Sequence, residues 1–130
     1  MRVLPRYSVV DIFAGPGGLA EGFSSVPGAG DEHAFSIALS IEKETSAHET
    51  LRLRSFLRQF DEVLPAVYYD FINGQIAEPD WASLYPDEWT AAEKEAWKLE
   101  LGNEDPAERL DARLDAIREE SGGNVILIGG

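Results

Sequence analysis

The chain has 130 residues, enough for one domain that buries roughly two thirds of its unfolded surface. Apolar residues make up 44% and charged residues 27%, close to globular averages, which excludes a disordered tail or a coiled coil. Eleven basic against twenty-four acidic residues leave a net charge of −13, the wrong sign for gripping a phosphate backbone unaided, and the absence of cysteine removes any disulfide, thiolate metal site or thiol nucleophile.

Tyr7-Ser8-Val9-Val10-Asp11-Ile12-Phe13 is short and rich in β-branched and aromatic residues. It runs into Ala14-Gly15-Pro16-Gly17-Gly18 and so predicts a buried strand ending in a tight turn. A short helix over Leu19–Phe23 follows, closed by Pro27-Gly28-Ala29-Gly30. A second strand is expected over Ala34–Ile41, with Glu42-Lys43-Glu44 at its carboxyl end. Ser46 and Glu49 have the spacing of a capping box, which predicts the start of a second helix. Its Leu53, Phe56, Leu57 and Phe60 form one apolar face directed at the sheet, while Arg52, Arg54 and Arg58 spread over the rest as solvated charges without assigned roles.

From 61 to 104 the aromatics Tyr68, Tyr69, Phe71, Trp81, Tyr85 and Trp89 are interleaved with Pro65, Gly74, Pro79 and Pro86, which predicts a largely irregular insertion. Within it, Thr90-Ala91-Ala92-Glu93 reads as a capping box that starts a helix through Lys94–Leu99, stopping at Gly102. Trp81, Trp89 and Trp97 are read as packing residues of this insertion in preference to a base-stacking platform, since Pro86 breaks any single helix through them. The next helix is well signalled, with Asp105 as cap and Pro106 at its first position. Ala107, Leu110, Leu114 and Ile117 share one face, and Gly122-Gly123 is the stop. Asn124–Ile128 then forms an apolar strand that leads to Gly129-Gly130. Alternating helices and near-continuous apolar strands imply an α/β fold with a parallel sheet, one domain over 1–130.

In such sheets ligands sit at the carboxyl ends of the strands, beside the point where strand order reverses. Three places qualify: Phe13–Gly18, Glu42–Glu44 and Gly129-Gly130. Glycines at the first let the backbone approach a ligand, and amides at the following helix start suit a carboxylate or phosphate. Gly15, Gly17 and Ala20 satisfy G-x-G-x-x-G/A, and Glu42 stands where a carboxylate takes ribose hydroxyls. A nucleotide moiety is therefore expected, and the glycine spacing with Glu42 leaves open a dinucleotide (NAD)-binding module of an oxidoreductase. His33 and His48 have no partner histidine at ligand spacing, so no metal site is expected.

The stretch Val9-Val10-Asp11-Ile12-Phe13-Ala14-Gly15-Pro16-Gly17-Gly18-Leu19-Ala20-Glu21-Gly22-Phe23 closely resembles the first signature motif of the DNA cytosine carbon-5 methyltransferases, which use S-adenosyl-L-methionine. Ile41-Glu42-Lys43-Glu44 resembles their second motif, and Val125-Ile126-Leu127-Ile128-Gly129-Gly130 the strand that leads into their Pro-Cys catalytic motif. The resemblance implies a partial Rossmann-like methyltransferase fold carrying a helical and irregular insertion. It also implies that Phe13, Ala14, Gly15, Pro16, Gly17 and Gly18 line the methionine and sulfonium part of the cofactor. Glu42 would hold the ribose hydroxyls, Lys43 would lie near the adenine, and Asp11 would brace the loop. The family's third motif has no clean counterpart, and the stretch around Leu101-Gly102 stands nearest to it.

Family chemistry needs a cysteine thiolate to attack an extruded cytosine, and this chain has none. The resemblance therefore implies the cofactor-binding, amino-terminal part of a methyltransferase, inactive by itself. Its partners would be the remainder of the enzyme and, for the complete enzyme, DNA. A stand-alone cofactor-binding subunit of a split methyltransferase is the alternative. No apolar run approaches the roughly 20 residues of a membrane span, and Met1–Arg6 lacks the apolar stretch of a signal peptide, so a cytoplasmic location without a membrane partner is expected.

Overall fold

Strand β1, Tyr7–Ile12, runs through the middle of the sheet and carries Val9, Val10 and Asp11 into the interior. The computed structural model describes residues 6–28, 33–61, 63–102 and 107–129. After β1 come α1 (Gly18–Ser24), β2 (Phe35–Glu42), α2 (Thr45–Arg58), α3 (Ala66–Ile72), α4 (Trp81–Leu84), α5 (Pro86–Glu95), β3 (Ala96–Lys98), α6 (Ala107–Glu120) and β4 (Val125–Gly129). The four strands form one all-parallel sheet in the order β3-β2-β1-β4, an α/β architecture of partial Rossmann-like type. Chain direction across the sheet reverses at β1, with β2 and β3 laid to one side and β4 to the other. The switch point therefore lies between the carboxyl ends of β1 and β4.

Successive side chains on a strand face opposite ways, so each strand feeds two layers. Val10, Leu39 and Ile41 meet Ile117 of α6, with Ile12, Leu99, Leu101 and Leu110 around them. Helices α1, α2 and α5 pack against β2 in the other layer. A bulge separates the two halves of the β1–β2 pairing: Val9 is opposite Ile37, but Val10 is opposite Leu39, leaving Ala38 as the extra residue. At the other side, Gly129 is opposite Ile12, and a Cβ there would stand 3.1 Å from the Ile12 carbonyl oxygen, so glycine lets β4 close on β1.

Several sequence expectations need correction. Helix α2 begins at Thr45, not after a Ser46–Glu49 box: Glu44 is the N-cap, and its carboxylate accepts the Ser46 and Ala47 amides at 3.1 and 2.6 Å. The α2 face with Leu53, Phe56, Leu57 and Phe60 packs chiefly on the 61–104 region, around Phe56, Trp81 and Ala92. His48, Leu51 and Ser55 are further buried residues of the helix. That region is about half helical, with three helices where one is expected. As expected, no single helix runs through Trp81, Trp89 and Trp97: α4 ends at Leu84 and Pro86 starts α5, while Thr90–Glu93 lies inside α5 instead of starting a helix. Residues 96–98, expected as helix, form the edge strand β3, paired with Ser40–Glu42 and extended by the Leu99 amide donating to the Glu42 carbonyl at 3.0 Å.

The packing reading of Trp81 and Trp89 agrees with the structure, since Trp81 is buried and both rings stand about Phe56 at 5.2 and 5.4 Å. In α6, Leu110 and Ile117 face the core while Leu114 is exposed, and Asp105 and Pro106 lie outside the described residues. Gly122 and Gly123, with φ of 63° and 87°, end that helix by returning their amides to Glu119 and Arg118.

Candidate functional site

The loop after β1 is built by three successive internal bonds. Ala14 donates its amide to the Ile41 carbonyl at 2.8 Å, which carries the β1–β2 pairing one step past the strand end. Gly17 donates to the Ala14 carbonyl at 3.1 Å, closing a turn over 14–17. Gly15 donates to Oε2 of Glu42 at 2.7 Å. Positive φ values at Phe13 (53°), Gly15 (57°) and Gly17 (93°) make the turn possible. At Gly17 a side chain would also stand 2.9 Å from the Leu51 Cδ1 methyl, which would have to shift, so the φ of 93° is what calls for glycine there. Phe13 holds a left-handed conformation that bulky residues rarely adopt, and its ring is 59% exposed at the strand end.

Glu42 ends β2 directly beside this loop. Its Oε1 accepts the Lys43 and Glu44 amides at 2.9 and 3.0 Å, while Oε2 takes Gly15. These amides, that of Glu44 first, hold the carboxyl below the usual glutamate range against a smaller effect of burial. Glu42 is thus an ionised acceptor at neutral pH, with Oε1 already carrying two backbone amides and one acceptor position left on Oε2 for a ligand. Lys43 is exposed and stands 3.8 Å from Glu100. Because β3 pairs with the end of β2, the Leu99–Gly102 segment is brought to the same carboxyl edge.

Asp11 behaves differently from the sequence expectation. It is fully buried, opposite Ser40 on β2 and Ile128 on β4, and neither carboxyl oxygen finds a hydrogen-bond partner among the described residues. Burial without a partner pushes its pKa up to about 6. The loop is braced by Glu42 and by Arg54, whose Nη1 donates to the Pro16 carbonyl at 3.0 Å.

The arginines of α2 have structural partners, against the reading of them as solvated charges, and two of them, Arg54 and Arg58, hold the elements around the loop. Arg54 holds the loop, and Arg58 bridges Glu21 of α1 and Glu95 of α5, which locks the helix after the loop to the helix before β3. Arg52 lies over the Trp89 ring, 4.7 Å from its centre. No local signal marks these partners, which lie 37 or 38 residues away for Arg54 and Arg58.

The structure therefore brings Phe13–Gly18, Glu42 and Lys43 together at the carboxyl ends of β1 and β2, beside the switch point, and places Asp11 beneath them. The arrangement can seat a ligand whose hydroxyls meet a carboxylate. Three loop amides, those of Ala14, Gly15 and Gly17, are taken within the protein. Gly130 lies outside the described residues. Among the described residues no group of three or more His, Asp or Glu is placed to hold a metal ion, and no helix is long and apolar enough to cross a membrane. Comparison with protein-family models, curated proteins and solved structures found no match for this chain.

Proposed function

We propose that this chain is the S-adenosyl-L-methionine-binding part of a DNA cytosine carbon-5 methyltransferase. The observation that carries the reading is the bond from Gly15 to Glu42, which sets an ionised carboxylate against a glycine turn beside the switch point of a parallel sheet. A carboxylate there accepts from a hydroxyl of an unmodified ribose and repels a 2′-phosphate. The motif resemblance over residues 9–23, 41–44 and 125–130 supplies the choice of cofactor.

In this reading Glu42 holds the ribose and Phe13–Gly18 border the methionine end. Lys43 and the Leu99–Gly102 segment flank the base. The bound cofactor supplies an electrophilic methyl group. The thiolate that activates cytosine has no source among these 130 residues, so the chain binds cofactor without turning over, and DNA is engaged by other residues. The cytoplasm is the matching location.

Calorimetry of the chain with S-adenosylmethionine, S-adenosylhomocysteine and NAD tests this. Binding of the first two, weakened by about 1–3 kcal/mol in Glu42→Ala and without NAD binding, is the expected result. NAD binding alone establishes the dinucleotide reading instead, and binding of none of the three overturns both.

A further inference from the structure

We propose that the free edge of β3 carries a second ligand site, one for a phosphate group, separate from the glycine loop. A cleft of about 230 Å³ runs along this edge, lined by His48, Arg52, Glu93, Ala96–Leu99 and Arg109. Three cations face one carboxylate there, a local excess of positive charge in a chain whose net charge is −13. Acidic surroundings elsewhere make such a patch selective for a compact anion over an extended polyanion.

The cations come from three elements and are held in place. Arg52 of α2 stacks on Trp89, and Arg109 of α6 stacks on Trp97 with its guanidinium carbon 4.1 Å from the ring centre. Trp97 is itself fixed, because its indole donates to the Lys94 carbonyl at 2.8 Å. Contact with a ring occupies the flat face of a guanidinium and leaves its edge N–H donors available for an acceptor. Lys98 is oriented by donating to Thr45 Oγ1 at 2.7 Å. His48 ring Nε2 lies 3.1 Å from the Ala96 carbonyl oxygen and closes the floor of the cleft.

Two observations show that the Arg52 donors are not consumed internally. Arg52 Nε is buried and has no acceptor among the described residues. Its Nη1 is 3.9 Å from Glu93, too long for a hydrogen bond. A phosphate oxygen matches forked guanidinium donors better than a loosely placed, half-exposed carboxylate does. The cleft has room for a phosphate with a short ester arm, so free phosphate and a small phosphomonoester are the two sources of the same chemistry.

The test is a titration of the ¹⁵N-labelled chain, following the indole signals of Trp89 and Trp97. Sodium phosphate and phenyl phosphate are each compared with sodium chloride at matched ionic strength. Saturable shifts with phosphate and none with chloride are expected, and the tighter of the two phosphates identifies the source. Arg52→Gln and the exposed Lys98→Gln should each bind about tenfold more weakly, and Glu93→Gln several-fold more tightly. No saturable shift overturns the proposal, as does equal affinity in Lys98→Gln, Glu93→Gln and the parent. The outcome is independent of whether the glycine loop binds S-adenosylmethionine.

Discussion

Glu42 Oε2 and the Gly15 amide, 27 residues apart in the chain, meet at 2.7 Å and join the ends of β1 and β2. The bond is charge-assisted, because the backbone amides around Glu42 keep it ionised. Glu42→Ala should therefore destabilise the fold by about 1–2 kcal/mol in urea denaturation, in addition to any effect on ligand. Glu42→Gln retains an acceptor and should recover part of that stability. Unchanged stability in both variants would remove the loop-holding role of this residue.

The glycines of the turn are not equivalent. Gly17→Ala meets both a φ of 93° and the Leu51 methyl, and should cost about 1–3 kcal/mol. Gly18→Ala, at the first position of α1 and with nothing within 4 Å of the new Cβ, should be neutral or stabilising by up to about 1 kcal/mol. Paired thermal melts decide the contrast, and equal losses would mean that the turn is set by something other than backbone conformation.

Asp11 makes stability depend on pH. Its folded pKa of about 6 lies above the ordinary 3.8, so the folded chain keeps a proton that the unfolded chain has released. Its contribution is fully present below about 3.8 and is lost as the pH rises through 6, amounting to about 3 kcal/mol at most. Asp11→Asn removes this dependence. The stability difference between variant and parent should be flat below pH 4, move in the variant's favour up to about pH 6, and flatten again above it. A difference that does not vary across that window would place a partner on the carboxyl.

Arg58 closes a three-helix lock through Glu21 and Glu95. Burial pushes the Glu95 carboxyl up even with the guanidinium beside it, so removing Arg58 strands a poorly solvated charge. Arg58→Ala should cost about 2–4 kcal/mol, and adding Glu95→Gln should return part of the loss. If the double variant is no more stable than the single one, the carboxylate is not the strained partner.

Much of this arrangement is readable from local pattern. The β1 strand with its glycine turn, the apolar run of β2, the amphipathic α6 and the terminal β4 follow from hydrophobic period and turn residues, and Glu42 from its place at a strand end. What escapes is non-local. Ala96-Trp97-Lys98 continues a helical composition and becomes a strand because Ser40–Glu42 offer it a free edge. Glu44 displaces Ser46 as the cap because, from two residues earlier, its longer side chain reaches two amides. Arg54 and Arg58 take partners on α1, α5 and the loop that no spacing along α2 encodes.

The extra residue in β2 sets the phase of everything after it. Because Ala38 has no opposite number in β1, Leu39 and Ile41 turn toward α6, Ser40 comes level with Asp11, and Glu42 arrives at the height of the glycine turn. Deleting Ala38 would leave Leu39 opposite Val10 and Ser40 opposite Asp11 in a regular ladder, but drawing Ala38 itself into the ladder opposite Val10 would move each of these residues one step along β1 and exchange their faces. Leucine and isoleucine would then sit where the carboxylate's neighbours belong, and Glu42 would swing away from Gly15. The address of the carboxylate is thus written four positions upstream, at an alanine outside the pocket: Glu42 meets the glycine turn only because Ala38 stays out of the ladder.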